Sequence, residues 1–144
     1  MKMKDSKDLL SSVLKTTQMG QTGIRSVMKM PLNTSLQSAL HSQLREYDTI
    51  EREALSLART RGWELEQLDP AVKAMSAMVT KTRLSYGDIN SKVAAMMVQG
   101  NTRGMIKGLK NLHHFKRNDE RVAQLCQRLL DKEEENIRQM QGFI

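Results

Sequence analysis

The chain has 144 residues, a length that suits one domain with a single hydrophobic core. Apolar residues make up 39% and charged residues 27% of it, which excludes a disordered protein, and no apolar run is long enough to cross a bilayer. The net charge of +7 permits an anionic partner without requiring one. One cysteine excludes an internal disulfide, and the lack of an apolar signal region near the N-terminus predicts a cytoplasmic protein.

The apolar spacing predicts a first helix over residues 6–29 and a second over 34–61. Asn33 or Thr34 can cap the second helix, and Gly62 can end it in the left-handed conformation. Because the loop between the helices is short, we expect an antiparallel hairpin. The side chains expected to be buried are Leu10, Val13, Leu14, Thr17, Gln21, Ile24 and Met28 in the first helix, and Leu36, Leu40, Gln43, Tyr47, Ile50, Ala54 and Leu57 in the second.

A short third helix is predicted over 70–85, after a linker at 63–69. Asp88 can cap a long fourth helix over 88–115, whose first part, 89–98, is apolar on nearly every side. In its second part we expect an inward stripe of Met105, Leu109 and Leu112.

A fifth helix is predicted over 119–141, with Asn118 or Asp119 as its cap. The side chains expected on its inner face are Val122, Leu125, Leu129, Ile137 and Met140.

Glycines recur every four residues in the fourth predicted helix. Each costs about 1 kcal/mol relative to alanine, so we expect a packing reason for the row. The expected reason is close approach to another helix, in the region of Gly20 and Gly23, and a break of the helix at Gly100 is the alternative. The row consists of Gly100, Gly104 and Gly108.

The first two helices form one hairpin and the last two form another, joined by the long connection 63–87. Two hairpins joined by a long crossover form the ferritin-like arrangement, whereas an up-down-up-down bundle needs a short connection. The sequence therefore predicts an all-α, ferritin-like four-helix bundle of one domain, 1–144, with a short helix in the crossover.

Three segments resemble an uncharacterised bacterial family. They are Ile89 to Phe115, with its Met-Val-Gln-Gly-Asn-Thr-Arg-Gly-Met-Ile run and its Leu-His-His-Phe end, the stretch Leu129 to Phe143 with Glu-Glu-Glu-Asn-Ile, and Gln-Leu-Arg-Glu-Tyr at 43–47. The resemblance covers most of the chain and implies a ferritin-like helical bundle. It implies no activity.

A ferritin-like fold raises the question of a metal site. Dinuclear sites of this fold use a glutamate from each of two helices and a Glu-x-x-His pair from each of the other two. The chain has no Glu-x-x-His and its first helix has no glutamate, so we expect no metal, no cofactor and no catalytic residue. The alternative is one divalent ion held by His113, Glu133 and Glu46. We interpret the polar groups expected inside as a hydrogen-bonded layer that fixes the helix register, formed by Gln43, Tyr47, His113, Glu133 and Asn136.

One face of the fourth helix is basic. No acidic residue occurs between positions 101 and 118, and cations recur there at steps of four and three. Such a row can bind phosphate groups, and the alternative is an ordinary solvent-exposed helix face. This candidate anion-binding face comprises Arg103, Lys107, Lys110, His114 and Arg117.

The leading interpretation of function is a non-catalytic structural or protein-interaction bundle, without membrane insertion. The apolar segment 89–98 needs cover, so we expect a homodimer. Two alternatives stay open: a degenerate ferritin-like metal-binding protein, and a sequence-independent binder of nucleic acid or another polyanion through the basic face.

Overall fold

The computed structural model describes residues 5–71, 87–115 and 119–144. The described residues contain no β-strand, and no helix among them is long and apolar enough to cross a membrane. The all-α prediction is confirmed. Four helices correspond to the first, second, fourth and fifth predicted helices: α1 Ser6–Val27, α2 Thr34–Arg61, α3 Ile89–His114 and α4 Glu120–Gln141. Of the predicted third helix, Pro70 and Ala71 are helical, and 72–85 lies outside the described residues.

The helix ends follow the capping chemistry of the sequence. Asn33 caps α2 by accepting a hydrogen bond of 2.8 Å from the amide of Leu36, and Gly62 ends that helix at a φ of 70°. Asp88 and Asp119 cap α3 and α4 through their side-chain carboxylates. These four predictions are confirmed. Each cap satisfies backbone groups that the helix leaves unpaired.

The core lies between the four helices. All the side chains predicted to be inside α1 and α2 are buried, except Met28, which is half-buried at the end of α1. On α4 the buried set includes Val122, Leu125, Leu129 and Met140, whereas Ile137 is half-buried. Cys126 is buried as well.

In the second part of α3, the side of the helix that faces the core differs from the predicted one. Helix α3 runs without a break through Gly100, so the alternative of a broken helix is wrong. Leu109, expected inside, is 41% exposed, while Met105 and Leu112 are half-buried and Asn101 is buried. The reason is that α4 packs against the glycine edge of α3, which turns Leu109 toward solvent.

Contacts between polar side chains join the helices. Between α1 and α2, Arg25 contacts Asp48 and Gln18 contacts Glu51. Between α2 and α4, Gln43 contacts Gln139 and Arg61 contacts Asp119.

The start of α3 contacts the start of α2. The side chain of Asn90, at the start of α3, accepts a hydrogen bond of 2.9 Å from the amide of Asn33 at the start of α2. Near its other end, Asn111 donates to the hydroxyl of Ser12 in the first turns of α1, at 2.6 Å.

The segment after α2 returns along α1. The amide of Glu66 donates to Ser11, and the amide of Leu68 donates to the side chain of Gln18 at 2.8 Å. Because Ser11 precedes Gln18 on α1, this segment runs back alongside α1 over residues 63–69. It therefore begins a long connection between α2 and α3.

A buried polar cavity as the candidate functional site

The centre of the bundle holds a buried pair of polar side chains, Tyr47 of α2 and Glu133 of α4. The Tyr47 hydroxyl donates a hydrogen bond of 2.9 Å to Oε1 of Glu133, and each residue is only 2% exposed. Both lie on the apolar stripes of their helices, which carries them into the core with their neighbours. Both were predicted to lie in an inner polar layer, and the structure brings them into direct contact.

Two glycines make the room for this pair. A Cβ atom at Gly20 of α1 would lie 2.6 Å from the Tyr47 ring, and one at Gly104 of α3 would lie 3.0 Å from the carboxyl carbon of Glu133. Real Cβ atoms do not approach a ring so closely, so only glycine lets the Tyr47 ring lie against α1. The pair is thus held between α1 and α3.

Two of the three glycines in the α3 row have a packing reason, but with a partner other than the expected one. Gly104 and Gly108 pack against Glu133 and Leu130 of α4, whereas a Cβ at Gly100 would meet nothing within 4 Å. The expectation that the row packs directly against Gly20 and Gly23 is wrong. These two glycines of α1 border the same cavity as Gly100 and Gly104.

Asn101 of α3 completes the centre of the layer. Its side-chain oxygen lies 3.1 Å from the Tyr47 hydroxyl, which shares its proton between this atom and Glu133. Two buried polar atoms remain without a hydrogen-bond partner in the described part of the chain: Nδ2 of Asn101 and Oε2 of Glu133. Such atoms are costly in a protein interior, and each calls for an explanation.

Burial sets the charge of this pair. Loss of water raises the pKa of Glu133 to about 8, although the hydrogen bond from Tyr47 acts in the opposite direction. Burial, followed by the adjacent carboxyl group of Glu133, also raises the pKa of the Tyr47 phenol well above its ordinary value. At neutral pH both groups are therefore held mainly in their uncharged forms.

Further polar side chains extend the layer toward both ends. Gln43 donates to Gln139 at 2.9 Å, and Gln21 donates to Asp48 at 2.8 Å. Asn136, one helical turn after Glu133, is buried in the same layer. The predictions that Gln43, Tyr47 and Asn136 lie inside are confirmed.

A cavity of about 380 Å³ opens beside this layer, between α1 and α3. Its floor includes the buried residues Tyr47, Asn101 and Glu133. Three cations, Lys15, Arg103 and Lys107, also line it, and Lys15 is paired with Glu66 at 2.6 Å. The apolar side chains along the cavity are Met19, Ile24, Leu68, Met96 and Met97.

The three candidate metal ligands do not come together. His113 is exposed near the end of α3, Glu133 is buried at Tyr47, and Glu46 lies near Arg128 and Lys132 at 4.0 and 3.9 Å. The described segments contain no group of three or more histidine, cysteine, aspartate or glutamate side chains suited to a metal ion. The inclusion of His113 in the inner layer is also wrong, because the inner edge of α3 is the glycine edge.

The structure exposes the basic face of α3. Arg103, Lys107, Lys110 and His114 are all exposed, and Arg117 lies outside the described residues. No acidic residue occurs within α3 itself. Two members of this face, Arg103 and Lys107, also line the cavity, so the basic face continues into the candidate site.

Asn101 is the site residue that the sequence reasoning missed. It belongs to a series on α3 at helical spacing, Met97, Asn101, Gly104 and Gly108, which borders the cavity or packs on α4. A second series of similar length, the apolar residues Met105, Leu109 and Leu112, indicated a different inner face for α3. Counting the glycines as an inner edge would have identified Asn101.

Comparison of the chain with protein-family models, with curated proteins and with solved structures finds no match.

Proposed function

We propose that the chain is a non-catalytic binding or interaction protein with a ferritin-like bundle. In this proposal, a hydrogen-bonded polar layer occupies the position at which other ferritin-like bundles hold two metal ions. The position is the bundle centre, where all four helices contribute a residue.

Three sets of contacts support the ferritin-like arrangement. Helices α1 and α2 run in opposite directions, α3 follows α2, and α4 runs opposite to α2. The segment 63–69 turns back along α1, as the start of a long crossover would. Two antiparallel hairpins joined in this way constitute the ferritin-like topology.

The kinds of side chain in the layer support the proposal that the bundle lacks a dinuclear metal site. Among the described residues that line the cavity, Glu133 is the only carboxylate. The residue three positions later, where a metal-binding bundle would place histidine, is Asn136. A phenol, two carboxamides and one neutral carboxylic acid do not suit a dinuclear iron or manganese centre, which needs several ionised carboxylates.

Elemental analysis of the purified protein tests this proposal, followed by titration with iron(II), manganese(II) and zinc(II). We expect no stoichiometric metal, and no difference between the wild-type protein and the Glu133→Gln variant. A stoichiometric metal that is lost in Glu133→Gln but kept in Glu134→Gln, an exposed neighbour, would overturn the proposal. The same metal analysis of His113→Ala tests the alternative of a single-ion site, because a metal held partly by His113 would be lost in that variant.

A second candidate function is sequence-independent binding of a polyanion. The observation that favours it is the exposed row of Arg103, Lys107, Lys110 and His114 on a helix without acidic residues. Such binding arises from release of counterions and weakens steeply with salt.

Retention on immobilised heparin tests this candidate. Reversal of Arg103, Lys107 and Lys110 to glutamate should abolish retention. The matched control reverses three exposed cations elsewhere, Lys29, Arg45 and Arg52, and changes the net charge equally. Equal losses in the two triple variants would reject a specific basic face.

We also propose that two copies of the chain associate. Leu109 and Ile106 of α3 are 41% and 46% exposed, although most large apolar side chains of the described helices are covered. Burial of such side chains against a second copy is favourable. Light scattering at high micromolar concentration should give a dimer mass, and a monomer mass would reject this proposal.

A further inference from the structure

We propose that the exposed face of α3 binds an acidic amphipathic helix of a partner protein, with Ile106 and Leu109 buried against that helix and with Arg103 and Lys110 facing its carboxylates. The site is a seam along the second part of α3, on the outer side of the bundle. The assignment rests on the proposed interaction function and names the kind of partner.

Two large apolar side chains of α3 are exposed. Ile106 is 46% and Leu109 is 41% exposed, and in the described ranges only Met19 and Ile144 among the large apolar residues are comparably open. Residues three positions apart lie next to each other on a helix, so Ile106 and Leu109 form one patch. Burial of this patch against a partner would be favourable.

The patch continues along α3 with the spacing of a coiled-coil seam. Thr102, Ile106, Leu109 and His113 follow one another at steps of four, three and four. This is the alternation of a and d positions through which two helices pack side by side. Thr102 is half-buried and His113 is exposed, so the apolar pair lies in the middle of the seam. The spacing therefore indicates a helix as the partner of this face.

The charge beside the seam selects an acidic partner. Arg103 and Lys110 each come directly after a d-type residue of the seam, a position whose charge pairs with charges of the partner helix. Both are exposed, and neither has an ion-pair partner within the described part of the chain. Helix α3 itself contains no acidic residue. Carboxylates beside the partner's seam would be attracted, and lysine or arginine there would be repelled.

Two other occupants fit this face less well. Pairing of α3 with the same helix of a second copy would place two helices without acidic residues side by side, so like charges would oppose the contact. An acidic helix should therefore displace a second copy from the seam. Nucleic acid would engage the cations but would leave Ile106 and Leu109 exposed to water.

Three matched peptides test the assignment by titration with the full chain, followed through the fluorescence anisotropy of a dye on each peptide. The first repeats the heptad Glu-Ile-Ala-Ala-Leu-Glu-Gln, which gives an acidic helix with an apolar seam. The second has serine in place of isoleucine and leucine, and the third has lysine in place of glutamate. Single-stranded oligothymidine represents nucleic acid.

We expect the first peptide to bind in a saturable manner, and light scattering of the mixture to give the mass of one chain with one peptide. Loss of the apolar seam or of the negative charge should each weaken binding roughly tenfold. Equal binding of the three peptides would overturn the assignment. So would tighter binding of oligothymidine that is the same in the wild type and in Ile106→Ser.

A pair of single variants tests the apolar seam. Ile106→Ser should weaken binding of the first peptide roughly tenfold, because the seam loses a central side chain. Ile144→Ser is the matched control, since it removes the same side chain at a position that is 62% exposed and lies outside α3. The control should bind like the wild type. Equal binding by the two variants would reject the seam.

Reversal of the flanking charges gives the sharpest test of partner sign. Arg103→Glu combined with Lys110→Glu should abolish binding of the acidic peptide and create binding of the lysine peptide. The matched control combines Lys29→Glu with Arg45→Glu, which changes the net charge equally at exposed positions elsewhere. The control should keep the preference for the acidic peptide. A reversed α3 variant that keeps this preference as well would contradict the proposal.

The outcomes separate this inference from the functions on which it rests. Failure of the acidic peptide to bind metal-free protein would reject the partner and leave the proposed metal-free layer standing, whereas a stoichiometric metal would reject the layer. A dimer that persists in excess acidic peptide, and that is lost in Ile106→Ser, would assign the face to a second copy and so reject the acidic helix.

Discussion

The hydroxyl group of Tyr47 lies 2.9 Å from Oε1 of Glu133, and this contact joins α2 to α4 within the buried polar layer. The pair shares its cavity with a third helix through Asn101. A buried carboxyl group with one partner and one unpartnered oxygen has consequences that can be measured.

Stability should depend on pH through Glu133. Its pKa is raised from 4.5 to about 8, so the folded state keeps a proton that the unfolded state loses. The contribution is therefore fully present below pH 4.5, declines as pH rises, and is lost above about pH 8. In this window we expect the free energy of unfolding to fall by about 1 kcal/mol per pH unit. Urea denaturation between pH 5 and 9 measures it.

The control for this dependence is Glu133→Gln, which keeps the shape of the side chain without a titrating group. The free energy of unfolding of this variant should change less with pH than that of the wild type, because Glu133 no longer titrates. The variant should be more stable than the wild type at pH 9. Equal slopes in the two proteins would contradict a buried neutral carboxyl group at position 133.

Removal of the Tyr47 hydroxyl should destabilise the bundle. In Tyr47→Phe, both Glu133 and Asn101 lose their partner, which should cost about 1–3 kcal/mol. Thermal and urea denaturation at pH 6 measure the loss. In a Glu133→Gln background the effect should become smaller if the two residues interact directly, and strictly additive effects would argue against the bond.

Gly20 should tolerate no side chain. In Gly20→Ala the new methyl group would lie 2.6 Å from the Tyr47 ring, and we expect a loss of about 1–3 kcal/mol. Gly23→Ala is the matched control on the same helix, because its nearest side-chain atom, the methyl group of Met97, lies at 3.9 Å. The control should gain up to about 1 kcal/mol from helix propensity. Similar effects of the two changes would contradict the packing described for Tyr47.

Asp119 should act mainly as a helix cap. Its carboxylate accepts hydrogen bonds from the amides of Arg121 and Val122 and also pairs with Arg61 at 2.6 Å. Asp119→Ala should cost about 1 kcal/mol, whereas Asp119→Asn keeps the cap without the charge and should lose less. Urea denaturation at pH 7 compares them, and equal losses would contradict the capping role.

Much of the fold was predictable because the sequence carries its own boundary signals. Three of these signals are the side chains of Asn33, Asp88 and Asp119, each of which caps the start of a helix, and the fourth is Gly62, which ends α2 in the left-handed conformation. The inner stripe of α2 was equally clear, since Tyr47 and its neighbours recur at steps of three and four between polar residues.

The inner face of α3 was harder to predict. Apolar residues surround the first part of this helix, so their pattern does not fix its rotation. In the second part, Leu109 looks like a core residue by spacing, yet α4 packs on Gly104 and Gly108. Close approach at a glycine edge depends on the partner helix, which the hydrophobic pattern of α3 does not contain.

The candidate site was predictable only in part for the same reason. Gln43, Tyr47, Glu133 and Asn136 lie on well-defined stripes, and their burial followed from spacing alone. Asn101 lies on the glycine edge, and the cavity exists because glycines of α1 and α3 border it. Glycines in one helix do not show whether a side chain of the partner helix fills the space beside them, so the sequence did not predict the void.

The most direct test of the buried, neutral carboxyl group is a carbon NMR titration of Glu133 with selective labelling of its carboxyl carbon. We predict a single transition with a midpoint near pH 8, which moves to higher pH in Tyr47→Phe because the hydrogen bond from Tyr47 favours the charged form. A midpoint near the ordinary value of 4.5 would contradict the polar layer described for this bundle.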